Sequence, residues 1–199
     1  MRILHLSDTH GLHRRLRDLP AADVLVHSGD FTMAGSRDET RDFVRWLEGL
    51  PYAHKLFIAG NHDGGLYGIH PGSLPGGIHY LCHSGIEIKG VGFYGVPLFV
   101  EDDLRGLCAS LVGQIPDGVD VLVTHQPPYG ILDYAGGVHW GSCPLAERVW
   151  EVAPRYHLFG HVHDAAGVKR LGATVYANAA VVDEEYSLRN GIRLFDLSL

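Results

Sequence analysis

The run Leu56–Phe57–Ile58–Ala59 is apolar and ends abruptly in Gly60–Asn61–His62–Asp63. A short apolar run of this kind reads as a buried strand. The polar residues at its end bring an amide oxygen, an imidazole and a carboxylate, groups that bind cations or move protons. Gly60 permits a tight turn, and Asp63 is expected to orient the His62 ring. In isolation, a Gly-Asn pair after a strand is an ordinary turn. The arrangement nevertheless recurs at four other strand ends. Asp8 and His10 come after Arg2–Leu6 and stand two apart, so an extended backbone turns both to one face. Asp30 comes after Asp23–His27 across Ser28–Gly29, His125 after Val119–Val123 across Thr124, and His161 and His163 after Tyr156–Phe159 across Gly160.

The elements that position these residues can be read from pattern. Phe43, Trp46, Leu47 and Leu50 repeat with helical spacing, with Asp38 and Glu39 near the helix start and Pro51 at its end. Leu145, Val149 and Val152 mark a second helix stopped at Pro154. Shorter helices are expected over Leu12–Leu19 and, from Leu104, Leu107, Cys108 and Leu111, within Pro97–Gln114. Residues 64–77 and Tyr129–Ser142 read as loops. Ile78–Leu81, Ile86–Lys89 and Gly92–Gly95 predict an antiparallel meander. Ala173–Asn178 reads as a strand, and Asn190–Gly191 predicts a hairpin between Glu185–Leu188 and Ile192–Phe195. Near-continuous apolar strands separated by helices imply an α/β chain with a largely parallel sheet covered on both faces. In such sheets a ligand site lies beyond the carboxyl ends of the strands, where all five polar clusters fall.

The converging groups are two carboxylates, one amide and four or five imidazoles. Mixed oxygen and imidazole donors without thiolate suit borderline divalent ions such as Mn, Fe, Zn or Co. Asp8, His10, Asp30, Asn61, His125, His161 and His163 are too many for one tetrahedral ion but suffice for two ions sharing a bridge. The competing reading, polar residues that merely cap strands, must explain good ligand types at all five ends.

The ordered set Asp8-x-His10, Gly29-Asp30, Gly60-Asn61-His62-Asp63, Thr124-His125 and Gly160-His161-x-His163 resembles the calcineurin-like metallophosphoesterase superfamily. That resemblance implies a four-layer α/β/β/α sandwich with two mixed sheets and a binuclear metal centre at the carboxyl ends of the strands. It also implies that Asp8, His10 and His163 hold the first metal, that Asn61, His125 and His161 hold the second, and that Asp30 bridges them. Mn is the first expectation for the metal, with Fe, Zn, Co, Ni or Mg as alternatives. Phe31-Thr32-Met33 replaces the Val-Asp-Arg-Gly that comes after the bridging aspartate in the protein Ser/Thr phosphatases. Met33 also stands where purple acid phosphatases carry a ligand tyrosine. Together with His125-Gln126-Pro127-Pro128-Tyr129-Gly130-Ile131-Leu132-Asp133, this is closer to the small single-domain metallophosphoesterases, several of which are phosphodiesterases.

Two ions about 3.5–4 Å apart can bind a bridging water, lower its pKa and clamp the oxygens of an in-line displacement at phosphorus. His62 lies between a ligand and an acid, a place suited to meeting substrate rather than metal. It is expected to stabilise the phosphoryl group or protonate the leaving oxygen, with Asp63 fixing its ring. The expectation is a hydrolase acting on a small phosphodiester, with a nucleotide among the candidates, by attack of the metal-bridging hydroxide. Two alternatives are a phosphomonoesterase acting on a small metabolite and a catalytically silent binding protein of the same fold. Around the substrate, Tyr129, His139, Trp140 and Ser142 are the candidates, with Tyr134 as a further loop aromatic. The Gly141–Ser142 backbone N–H groups are read as a phosphate cradle at a helix start.

Composition bounds the rest. A chain of 199 residues, 46% hydrophobic, fits one domain over residues 1–199. A net charge of −7 argues against long nucleic acid as a partner. No apolar run reaches the length of a membrane span. With no leader pattern at the N-terminus, and with Cys82, Cys108 and Cys143 read as reduced thiols, the expected compartment is the cytoplasm. There are 14 histidines. His5 and His27 read as structural supports, and His13, His54, His70, His79, His83 and His157 as surface or core residues.

Overall fold

A computed structural model describes residues 1–69 and 74–198; His70 lies outside the described residues. In chain order the elements are β1 (Arg2–Leu6), β2 (Val24–His27), α1 (Arg37–Glu48), β3 (His54–Phe57), β4 (Ile78–Tyr80), β5 (Ser84–Ile88) and β6 (Val91–Val96). Next come α2 (Val100–Leu104), α3 (Cys108–Val112), β7 (Val121–Thr124), β8 (Tyr134–Ala135), β9 (Val138–His139) and α4 (Cys143–Val152). The chain closes with β10 (Tyr156–Phe159), β11 (Gly167–Leu171), β12 (Thr174–Asn178) and β13 (Arg193–Asp196).

Two mixed sheets carry the fold. The first has the order β13-β1-β2-β3-β4 and the second β11-β12-β10-β7-β6-β5. In each, the central strands are parallel and antiparallel strands lie at edges: β13 on β1 in the first, β5 on β6 and β11 on β12 in the second. The period-2 alternation of strand side chains sorts the apolar residues into three layers. Ile3, Val24, Val26, Leu56 and Ile58 of the first sheet meet Val91, Phe93, Val121, Val123 and Leu158 of the second. The opposite face of the first sheet, through Leu4, Leu25 and Phe57, packs on Phe43, Trp46 and Leu47 of α1. The opposite face of the second, through Leu122, Phe159 and Tyr176, packs on Val112 of α3 and on Leu145 and Val149 of α4. These layers make the α/β/β/α sandwich.

The helices begin where their sequences supply caps. The Ser36 side chain accepts from the Glu39 N–H while the Ser36 N–H donates to the Glu39 carboxylate, a reciprocal capping box. In α1, Phe43 stacks on Phe31 at 4.2 Å, and trimming it to alanine would cost about 3–5 kcal/mol. α4 starts from the Ser142 side chain and ends at left-handed Ala153, just before Pro154.

Several expectations need correction. Leu12–Leu19 forms only one 3-10 turn, His13–Arg15, with the His13 imidazole bonded to Asp42 of α1. The predicted meander is split between sheets: β4 pairs parallel with β3, while β5 and β6 pair in the second sheet. Ile78 belongs to the layer against α1, whereas Leu81 and Ile88 belong between the sheets, so the chain crosses over. Pro97–Gln114 breaks into two short helices, α2 and α3. The tail hairpin is absent, because β13 adds to the open edge of β1; Asn190 instead donates from its side chain to the carbonyls of His163 and Val182. The strand-pair hairpin of the C-terminal region is β11–β12.

Candidate metal centre

The carboxyl ends of β1, β2, β3, β7 and β10 converge. Three overlapping groups of donor atoms, each within 4.8 Å, form there: Asp8 with His10 and His163, His10 with Asp30 and His62, and Asp30 with His125 and His161. His10 Nε2 lies 3.3 Å from His163 Nε2, His163 Nε2 lies 3.5 Å from Asp8 Oδ1, and His125 Nε2 lies 3.1 Å from Asn61 Oδ1. Asp30 stands between the two halves. Its Oδ2 faces His125 Nε2 at 3.3 Å and His10 Nε2 at 3.8 Å, while its Oδ1 accepts the His62 N–H at 2.8 Å.

Local backbone explains how the strand ends turn inward. Asp8, His10, Asp30 and His161 all adopt positive φ, 54°, 41°, 55° and 71°. Non-glycine residues rarely do so, and such strain gathers at functional sites. Close approach at Gly60 and Gly160 leaves no room for a side chain. A Cβ on Gly60 would meet the Asp30 carboxylate and the His125 ring, and one on Gly160 would meet the Asp8 carboxylate and Ser7.

The ring nitrogens are assigned by their partners. His10, His125 and His163 each give Nδ1–H to a backbone carbonyl, of Thr32 at 3.2 Å, Ser28 at 2.8 Å and Asp183 at 3.0 Å. A carbonyl only accepts, so the Nε2 lone pairs are left facing one another and the carboxylates, the orientation seen in metal-ligating histidines. Burial drives His10 and His161 down to about 4, partly offset at both by Asp8 and Asp30, so both are neutral donors. Burial opposes charge on His125 too, but the facing Asp30 outweighs it and lifts that imidazole to about 9. His163 is likewise raised against its burial by Asp8. Despite burial, both Asp8 and Asp30 are held below the usual carboxylate range by these imidazoles. Between Asp30 and His125, and between Asp8 and His163, the facing donor atoms leave two places for positive charge. Divalent cations would take the same places, so the donor set fits metal.

Beneath the centre, His5, His27 and His157 are buried and neutral, each driven down to about 3 by burial. Each bonds a hydroxyl beside a candidate ligand: His5 to Ser28 at 2.8 Å, His27 to Thr9 at 3.0 Å and His157 to Thr124 at 2.9 Å. They are structural supports, the role expected of His5 and His27; His157, expected only as a surface or core residue, joins them through Thr124.

Asp63 does not orient His62. Its carboxylate accepts from the N–H groups of Gly60, Asp30 and Thr32 at 2.8–2.9 Å and from the Thr32 hydroxyl at 2.7 Å. It therefore ties the 60–63 turn to the loop after β2. The His62 ring is instead held by the Met33 carbonyl, 2.9 Å from Nδ1, which leaves Nε2 free.

The substrate candidates separate. Trp140, with Ala135, Gly136, His161, Val162, His163 and Glu184, lines a cleft of about 260 Å³ at the centre. Tyr129 and Tyr134 pack on the His139 ring at 4.9 and 5.0 Å, and His139 pairs with buried Asp133 at 2.9 Å. Ser142 is the cap of α4, and the Gly141 and Ser142 N–H groups are spent on Asp133 and the Pro127 carbonyl. The anticipated phosphate cradle is thus occupied by the chain itself. Sequence reading missed Glu184 and Tyr186. They lie in a polar segment beyond β12 that carries no strand-end motif, and the only signal was its closeness to the apolar run Ala179–Val182.

The sequence profile of calcineurin-like phosphoesterase matches residues 1–165. The chain belongs to this family. These calcineurin-like phosphoesterases are metal-dependent hydrolases. The human metallophosphoesterase domain-containing protein 1 is 34% identical over 98% of this chain and 71% of its own. A UPF0046 protein of Caenorhabditis elegans is 35% identical over 100% of this chain and 82% of its own. Among solved structures, TT1561 of Thermus thermophilus has a TM-score of 0.58 at 16% identity, covering 96% of this chain and 97% of its own, a likeness of fold. As in the sequence pattern, no helix among the described residues of this phosphoesterase is long and apolar enough to cross a membrane.

Proposed function

We propose that the chain is a binuclear-metal phosphodiesterase acting on a small phosphodiester, with nucleotides among the candidates. The observation that carries the diester reading is the cleft beside His161 and His163: Glu184 lines it, and no lysine or arginine among the described residues does. A monoester dianion gains from an added cation near phosphorus, whereas a diester monoanion needs less charge compensation and meets less repulsion from Glu184. Trp140 offers an apolar face to the ester group.

In this reading Asp8, His10 and His163 would hold one ion, Asn61, His125 and His161 would hold the other, and Asp30 would serve both; manganese is the first candidate. A bound pair supplies Lewis-acid polarisation of the phosphoryl oxygens and an activated water. His62, with Nδ1 fixed on Met33, presents Nε2 to the substrate. With a second proton there, it donates to the leaving oxygen, and it recovers that proton from solvent. Asp63 keeps the 60–63 turn and the Asp30 loop in register while this happens. The substrate is a small molecule, and the proposed compartment is the cytoplasm. Comparing kcat/KM for bis(p-nitrophenyl) phosphate and p-nitrophenyl phosphate in the Mn-loaded protein tests the reading. Preference for the diester supports it; preference for the monoester across Mn, Fe, Zn, Co, Ni and Mg overturns the diester assignment.

A further inference from the structure

Outside the strand-end motifs, one side chain stands over the centre. The ring of Tyr186 lies 4.8 Å from His10, 5.6 Å from His163 and 6.5 Å from His62, centroid to centroid, and meets all three at steep angles of 88°, 85° and 64°. Its backbone has φ of +55°. A tyrosine seldom takes that conformation, so the surrounding loop must impose it.

The loop is built to do so. Asp183 Oδ1 accepts from the N–H groups of Glu185 at 3.0 Å and Ser187 at 2.8 Å. The Asp183 carbonyl accepts the Tyr186 N–H at 3.0 Å and also the Nδ1–H of His163. Arg189 holds the other Asp183 oxygen at 3.2 Å. The residue that fixes the His163 ring therefore also fixes the turn that carries Tyr186. Packing alone does not account for the side chain, since 38% of the residue remains open to solvent beside the donor groups. Glu184 of the same turn lines the cleft with Trp140 and His163. His163 thus borders both the Trp140 cleft and the Tyr186 ring.

We propose that the Tyr186 ring is a specificity-determining wall that packs against the ester group of a bound phosphodiester that is not expelled. This rests on the phosphodiesterase reading. A wall of this kind contacts an aryl or alkyl ester and not the phosphoryl oxygens, so it discriminates diester from monoester. It also predicts that the ring matters and the hydroxyl does not.

The test uses the Mn-loaded protein and its Tyr186→Ala and Tyr186→Phe variants. Calorimetric binding of diphenylphosphinate, a diester mimic whose P–C bonds are not hydrolysed, should weaken about tenfold or more in Tyr186→Ala, the worth of a lost aromatic contact. Binding of inorganic phosphate and the Mn content should stay at wild-type values, and Tyr186→Phe should match wild type throughout. Unchanged diphenylphosphinate binding in Tyr186→Ala overturns the proposal, as does equal weakening in both variants, which would assign the contact to the hydroxyl. Loss of Mn from Tyr186→Ala also overturns it, by making the ring a support for His10 and His163. Because binding is read without turnover, these outcomes are separate from a failure of the wild-type protein to hydrolyse bis(p-nitrophenyl) phosphate, which would strike the phosphodiesterase reading itself.

Discussion

His10 Nε2 and His163 Nε2 face each other at 3.3 Å, each with its Nδ1–H already given to a backbone carbonyl. Two imidazole lone pairs at that distance repel unless a proton or a cation lies between them. Asp8 and Asp30 border the same space and, like His10, are buried, while His163 is only partly covered where it meets the cleft. A buried cluster so rich in acceptors is built for positive charge.

His62 should separate chemistry from metal binding. His62→Ala is expected to retain the metal content of the wild type while losing about 10²–10⁴-fold in kcat on a diester, the usual worth of a proton donor. Its imidazole groups with donor atoms of His10 and Asp30, so elemental analysis decides the matter. An emptied site in His62→Ala would make His62 a ligand.

Asp63→Asn should behave as a stability mutant. An amide turns its NH₂ toward backbone N–H groups that now end on a carboxylate, leaving donors unsatisfied at roughly 1–3 kcal/mol each. Urea unfolding should show that loss. Wild-type stability combined with a rate loss as large as that of His62→Ala would instead restore the orienting role.

Gly160→Ala places a methyl group against the Asp8 carboxylate and Ser7. Mn affinity, measured by titration of the apo-protein, should fall about 10–100-fold, the typical effect of disturbing a ligand's support. Unaltered affinity would mean that Asp8 is not held as described.

Much of this centre was legible because each candidate ligand sits at the end of an apolar strand, where pattern and motif coincide. The seven donors named from sequence do come together at one end of the sandwich. Pattern failed where partners are remote. Asp63 comes directly after His62 in sequence, yet its carboxylate is claimed by N–H groups around Asp30 and Thr32, more than thirty positions away in the chain. Ser142 looked like a phosphate cradle because its competitors, Asp133 and Pro127, cannot be seen from spacing. Tyr186 owes its place to a turn closed by Asp183, and Asn190 is spent on carbonyls rather than on a hairpin.

Glu39 gives a pH signature away from the metal. Burial alone would raise its carboxyl, but bonds from Ser36, Met33 and Ala34 outweigh this and bring it from 4.5 down to about 2. A depressed carboxylate stabilises the fold above its unfolded value and loses that contribution as pH falls through its folded value. The Tm gap between wild type and Glu39→Gln should therefore be full above pH about 5 and shrink as pH falls from about 4.5 toward 2. A gap that does not change with pH would contradict the assignment. Since Glu39 holds the Met33 N–H, and the Met33 carbonyl holds His62, the same variant should also lower kcat modestly at neutral pH.

Whether two ions share Asp30 at the carboxyl ends of the strands can be seen by anomalous diffraction from crystals of the Mn-loaded protein. Two manganese peaks are expected, one among Asp8, His10 and His163 and one among Asn61, His125 and His161, each within ligand distance of Asp30. No peak, a single peak, or a pair in which either ion stands away from Asp30 would contradict the shared bridge.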